Sequence, residues 1–142
     1  MVIPWRDTDS HRARILEWVT ARHERAGRTV LVATEPDPTG PWRKAAAVNA
    51  GVRAAPDGRV IVSDADVWCD LAPVLDELDA DRWAVPFISV LRLNAYATEE
   101  ILAGAEPDDL AGQLLEGPRR GAAGGGIVIG PRARLAALPM AP

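Results

Sequence analysis

Two short β-branched and apolar runs, residues 29–34 (TVLVAT) and Arg59–Ser63 (RVIVS), bracket a stretch, residues 42–55, in which Ala45, Val48, Val52 and Ala55 recur at intervals of three and four. The runs read as buried strands and the stretch between them as an amphipathic helix. Strand, helix, strand at these lengths imply a crossover connection and a parallel sheet. The alternation continues on both sides. Residues 1–4 form a strand stub. Asp7, Thr8, Asp9 and Ser10 then offer N-cap oxygens to a helix carrying Ile15, Leu16, Val19 and Ala26, with Gly27 as its stop. Downstream, residues 71–78 read as a helix and residues 83–90 as a strand that Pro86 confines to an edge or a bend. Residues 98–103 read as a short helix, and residues 106–117 as an acidic stretch with little periodicity. Residues 119–126 form a glycine-rich loop feeding a last strand at 127–129, followed by a helical turn over 132–138. The expectation is an α/β fold, a single Rossmann-like domain over residues 1–142 with a mainly parallel sheet flanked by helices.

Composition removes several function classes. The 142 residues hold 16 Lys+Arg against 20 Asp+Glu, a net charge of -4, which argues against nonspecific nucleic-acid binding and against an anionic membrane surface. A lone cysteine, Cys69, excludes an intramolecular disulfide and a Cys-based zinc cluster, and two histidines, His11 and His23, exclude a His-rich metal site. No apolar run reaches the roughly 18–20 residues of a membrane span, and the opening residues lack a signal-peptide shape, so a cytoplasmic location is expected. Neither a P-loop nor a dinucleotide fingerprint is present, and no Ser-His-Asp or Cys-His arrangement is visible.

Ligands of open parallel sheets bind at the carboxyl ends of the strands. Asp64 and Asp66 stand at one such end, directly after Val60-Ile61-Val62. Two residues apart in extended backbone they face one way and suit a hard divalent cation carrying phosphates; equally, they suit capping of the following loop and helix. Asn49 lies on the apolar side of its helix, where its amide needs partners in the core or on a ligand. Arg43 and Lys44 (the sole lysine of the chain) open the same helix, where cations and N–H groups favour an anion. Trp5 and Arg6 follow the first strand stub as a stacking face and a phosphate fork, or as a buried anchor and a surface arginine. Gly124-Gly125-Gly126 permits close backbone approach or makes a plain turn. Arg119 and Arg120 suit phosphate or solvent. Cys69 reads as a small packing residue, and the two histidines as helix residues among charged neighbours.

Taken in order, the segments 2–6 (VIPWR), 42–51 (WRKAAAVNAG), 60–67 (VIVSDADV) and 124–129 (GGGIVI) followed by Arg132 resemble the GT-A glycosyltransferases, family-2-like enzymes and those with a galactosyltransferase-type N-terminal region. The Asp-x-Asp element is promiscuous; the helix segment followed by a strand and Asp64-Ala65-Asp66 is far more specific. The resemblance implies a hexosyltransferase-like GT-A domain that binds a UDP- or GDP-sugar with Mn²⁺ or Mg²⁺ and transfers the sugar to an acceptor that the residues do not name. Asp66 would ligate the metal, and Asp64 would share it or reach the ribose. Pro4, Trp5 and Arg6 would line the nucleotide pocket, and Lys44 and Asn49 would face the nucleotide or diphosphate. Ala65 would stand among the donor-binding residues, with Gly125 and Gly126 close to the donor sugar.

The chain also departs from the family pattern. An acidic motif, commonly Gly-Trp-Gly-x-Glu-Asp, usually follows the glycine-strand element and supplies the general base in inverting members. Here residues 138–142 (LPMAP) stand where it would begin, and Asp108, Asp109 and Glu116 lie upstream of the glycines. Against the family pattern, either the chain is a minimal or C-terminally truncated form, or an acid elsewhere serves as base. The alternative is a noncatalytic nucleotide-sugar-binding or assembly subunit, and pairing with a further copy of the chain stays open. A sugar-phosphate nucleotidyltransferase is less attractive, because its N-terminal glycine-rich signature is missing.

Overall fold

The computed structural model describes residues 1–37, 39–110, 114–120 and 126–137. They belong to two compact units: Met1–Pro86 with Gly125–Pro142, and Phe87–Gly124 between them in the chain.

The first unit is built on a four-stranded sheet in the order β2-β1-β3-β6. β1 (Val2–Pro4) is buried at every position and pairs parallel with β2 (Leu31–Ala33) and with β3 (Arg59–Ser63). Helix α1 (Ser10–Arg25) makes the first crossover and α2 (Lys44–Ala54) the second. Asp9 caps α1 by accepting from the Arg12 N–H at 2.8 Å, and the last turn carries Arg22, His23 and Arg25. That basic end suits the helix dipole. The helix stops at Gly27, whose φ of +75° any other residue would resist. After β3 comes α3 (Ala72–Glu77).

Alternation along β1 sends its neighbouring side chains to opposite faces of the sheet. Val2 packs with Val48 and Val52 of α2 and with Val60 and Val62 of β3. Ile3 packs with Val19 of α1 and with Ala65. The sheet is thus covered by helices on both faces and is mostly parallel, as the crossover pattern requires, and it is compatible with a Rossmann-like arrangement. No helix among the described residues is long and apolar enough to cross a membrane.

Three expectations need correction. The run 29–34 does not form an interior strand: β2 spans three residues at the sheet edge, with Val32 40% exposed, because the short β1 takes the centre. Residues 83–90 do not form one strand. Ala84 makes a single antiparallel bridge to Ile129, and Pro86, lacking an N–H, ends the pairing. β4 (Ser89–Leu93) starts beyond it, in the second unit, with α4 (Ala95–Leu102) after it. The aperiodic acidic stretch holds a 3-10 turn, Pro107–Leu110, and β5 (Leu114–Arg120), so that Arg119 and Arg120 lie in a strand instead of a loop. β5 pairs antiparallel with β4 through two register irregularities, which erase the period-2 signal.

The chain returns to the first unit as β6 (Ile127–Pro131), antiparallel to β3 from Ser63↔Ile127 to Arg59↔Pro131, and ends in α5 (Arg132–Ala137). Arg132 serves the end of α2. Its guanidinium donates to the Val52 carbonyl at 3.2 Å, to the Arg53 carbonyl at 2.9 Å and to the Asp57 carboxylate at 2.7 Å. Two of the carbonyls that every helix leaves unsatisfied at its C-terminus are thereby met by a charged donor. Arg132→Ala is expected to lower stability by about 2 kcal/mol in urea unfolding; a change within about 0.5 kcal/mol would show the cap to be idle.

Candidate functional site

A cavity of about 400 Å³ opens at the carboxyl ends of the parallel strands. It is lined by Pro4 at the end of β1, by Arg6 and Thr8 beyond it, and by Arg12 from the first turn of α1. The connection from β2 to α2 contributes Trp42, the first residue of α2 contributes Lys44, and the residues after β3 contribute Asp64, Ala65 and Asp66. The three cations Arg6, Arg12 and Lys44 thus share one cavity with the two carboxylates Asp64 and Asp66. In a chain of net charge -4 that is a local excess of positive charge, suited to an anionic ligand.

The carboxylates do not converge through extended backbone, as the two-residue spacing suggested. Residues 65 and 66 turn, and Ala65 drops into the cluster of Ile3 and Val19, leaving the flanking aspartates at the cavity wall. The Asp64 N–H donates to the Gly126 carbonyl at 2.7 Å, which ties this turn to the start of β6. The Lys44 ammonium forms an ion pair with an Asp64 carboxylate oxygen.

Glu35 anchors the connection between β2 and α2. Glu35 is 5% exposed, and its carboxylate accepts from the Arg43 Nε at 3.3 Å and from the Arg43 N–H at 3.4 Å. Its second oxygen stands 3.4 Å from the Arg6 guanidinium. Arg6 also donates to the Gly40 carbonyl at 2.7 Å, and Arg43 to the Asp37 carbonyl at 3.2 Å. Asp37 accepts from the Thr39 hydroxyl at 2.6 Å and the Thr39 N–H at 3.1 Å, which hold its carboxyl below the usual range. These bonds fix the segment that presents Trp42 and Lys44.

Of the residues expected at the site, Pro4, Arg6, Lys44, Asp64, Ala65 and Asp66 meet at the cavity. Gly126 supports it from behind. Trp5 lies off the lining: it packs against the Ile3–Val19–Ala65 cluster, with the Arg12 guanidinium 5.6 Å above its ring. Asn49 is half-buried on α2, also off the lining. Gly125 lies outside the described residues. Cys69 is partly buried, and burial, aided by the Asp70 charge, pushes its thiol up to about 11, which leaves it neither nucleophile nor ready ligand at neutral pH.

Arg12 and Glu35 escaped the sequence reading, and Thr8 and Trp42 entered it only as an N-cap oxygen and as the first residue of the 42–51 segment. A signal existed for Glu35, an acid just past a strand's carboxyl end, by the same rule that singled out Asp64. Trp42 is 37% exposed at the cavity rim, beside the helix start already marked for anion binding.

Among the described residues no three His, Cys, Asp or Glu side chains converge. Two carboxylates lining one cavity fit an ion that draws its remaining oxygens from a phosphate ligand and water, as Mg²⁺ habitually does. No protein-family model, curated protein or solved structure matches the chain.

Proposed function

We propose that this cavity binds the diphosphate of a UDP- or GDP-sugar together with Mn²⁺ or Mg²⁺, in a metal-dependent glycosyltransferase of the GT-A kind. The observation that carries the reading is the convergence of Asp64 and Asp66 with Arg6, Arg12 and Lys44 at the carboxyl ends of β1 and β3. Asp66 and Asp64 would hold the ion, which when bound offsets charge on the departing diphosphate. Arg6, set by Glu35 and Gly40, and Arg12, at the start of α1, supply fixed N–H donors to phosphate oxygens. Trp42 offers an exposed ring face at the rim.

A second reading, a noncatalytic nucleotide-sugar-binding subunit, is favoured by one observation. Among the described residues the carboxylates lining the cavity are Asp64 and Asp66, which would both hold the ion, and no third acid lines it to act as base.

Thermal melting with a panel of nucleotide-sugars, with and without Mn²⁺, tests the site. A ligand at a hundred times its Kd stabilises the fold by about 2.7 kcal/mol, which for a domain of this size raises the Tm by several degrees. The rise is expected with Mn²⁺ and is expected to vanish in Asp66→Ala, an exposed turn position that the fold does not need. No shift with any donor would remove the proposal. Release of nucleoside diphosphate by the wild-type protein separates the enzyme from the binding subunit.

A further inference from the structure

The ion pair between Lys44 and Asp64 has a consequence for the order in which ligands enter. Lys44 begins α2 and is half-exposed, Asp64 is partly exposed, and both line the cavity with Asp66. Arg6 is held by Glu35 and by the Gly40 carbonyl. Lys44, by contrast, carries its charge on a flexible four-carbon stem with three rotatable donors. A solvent-exposed pair of this kind is weak enough to exchange partners. A divalent ion approaching the two aspartates meets a like charge already seated on one of them. A diphosphate, with several anionic oxygens, offers that ammonium a stronger partner and at the same time offers oxygens to the ion.

We propose that Lys44 is an internal competitor for the acidic pair, held on Asp64 until a diphosphate draws it away, so that divalent ion and nucleotide enter this cavity as mutually dependent ligands. The inference rests on the nucleotide-sugar reading above. Lys44 is a positioning residue here: it governs when Asp64 is open to the ion. Linkage makes the effect reciprocal, so Mn²⁺ must strengthen nucleotide binding by the factor through which nucleotide strengthens Mn²⁺ binding.

The test uses the full chain, wild type and Lys44→Met, with Mn²⁺ alone followed by electron paramagnetic resonance, and with UDP and GDP followed by calorimetry at zero and saturating Mn²⁺. Methionine keeps the stem and the helix propensity and removes the charge. Lys44→Met is expected to bind Mn²⁺ alone about tenfold more tightly than wild type, and the gain in nucleotide affinity on adding Mn²⁺ is expected to shrink about tenfold. Asp66→Ala placed on the Lys44→Met background is expected to remove the Mn²⁺ signal. Equal Mn²⁺ affinity in wild type and Lys44→Met, with Mn²⁺-dependent nucleotide binding intact, would overturn the competitor role alone. Failure of wild type to bind either nucleotide in the presence of Mn²⁺ would overturn the reading of the site itself.

Discussion

Gly51→Val is expected to destabilise the protein by about 3 kcal/mol, at the upper end of what an overpacked core position costs. Gly51 is buried on the face of α2 that lies against the sheet. A Cβ there would collide with the Val2 Cγ1 and stand 2.8 Å from the Ala33 Cβ. Neither neighbour can yield freely, because Val2 is fully buried in the central strand and the Ala33 methyl is fixed to the backbone of β2. The small residue lets α2 approach β1 and β2 closely, and α2 in turn sets Lys44 at the cavity. Gly40→Ala, where an added methyl meets nothing within 4 Å, is the control and is expected to stay within about 0.5 kcal/mol. Urea unfolding of the two variants beside wild type measures both, and a Gly51→Val protein within about 1 kcal/mol of wild type would refute the close-packing account.

Acidification is expected to weaken the fold well above the range where carboxylates titrate, and His23 is the reason. The ring is fully buried in α1, 5.0 Å from the Trp68 ring, and its Nδ1 faces the Arg28 guanidinium at 3.4 Å. Arginine can only donate, so Nδ1 accepts and the ring proton of the neutral form belongs on Nε2, which has no hydrogen-bond partner among the described residues. Burial first, and the Arg28 charge second, depress the imidazole to about 4 from its ordinary 6.5. The unfolded chain therefore binds a proton between these values that the folded chain refuses. Stability is unaffected above about pH 6.5, falls as pH drops toward 4, and is lower by up to about 3 kcal/mol below that. Asp9 and Asp37, both held below the usual carboxylate range by hydrogen bonds, add their own losses only under more acid conditions. Denaturant melts at pH 7 and pH 4.5 are expected to differ by most of this amount in wild type and by much less in His23→Leu. An equal pH dependence in both proteins would clear His23 of the effect.

The crossover core was readable because β3 and α2 each contain enough turns or residues to show a period. The place of β1 at the sheet centre was not, since a three-residue strand shows no alternation. Once β1 holds the centre, β2 is left at the edge in spite of its β-branched composition. The β4–β5 ribbon was hidden by its irregular register and by Gly117-Pro118, both of which break the pattern that marks a strand. At the site, Asp64 and Asp66 could be named because they follow a strand directly. Thr8 lies between β1 and α1, Arg12 in the first turn of α1 and Trp42 between β2 and α2, and folding is what brings the first two together with the third. Gly51, read as part of a motif, is explained by packing. His23, read as a helix residue among charges, is a core residue facing Trp68, because the ring points inward while Arg22 and Glu24 beside it are charged.

The strand that completes the sheet beside β3 comes from residues 127–131, after the whole of the second unit has been made. While the chain is being synthesised, β3 therefore waits with one edge unpaired until residues 64–126 have been translated. Bare strand edges recruit neighbouring chains. Nascent polypeptides arrested between residues 63 and 126 are accordingly the species that a holdase chaperone would meet.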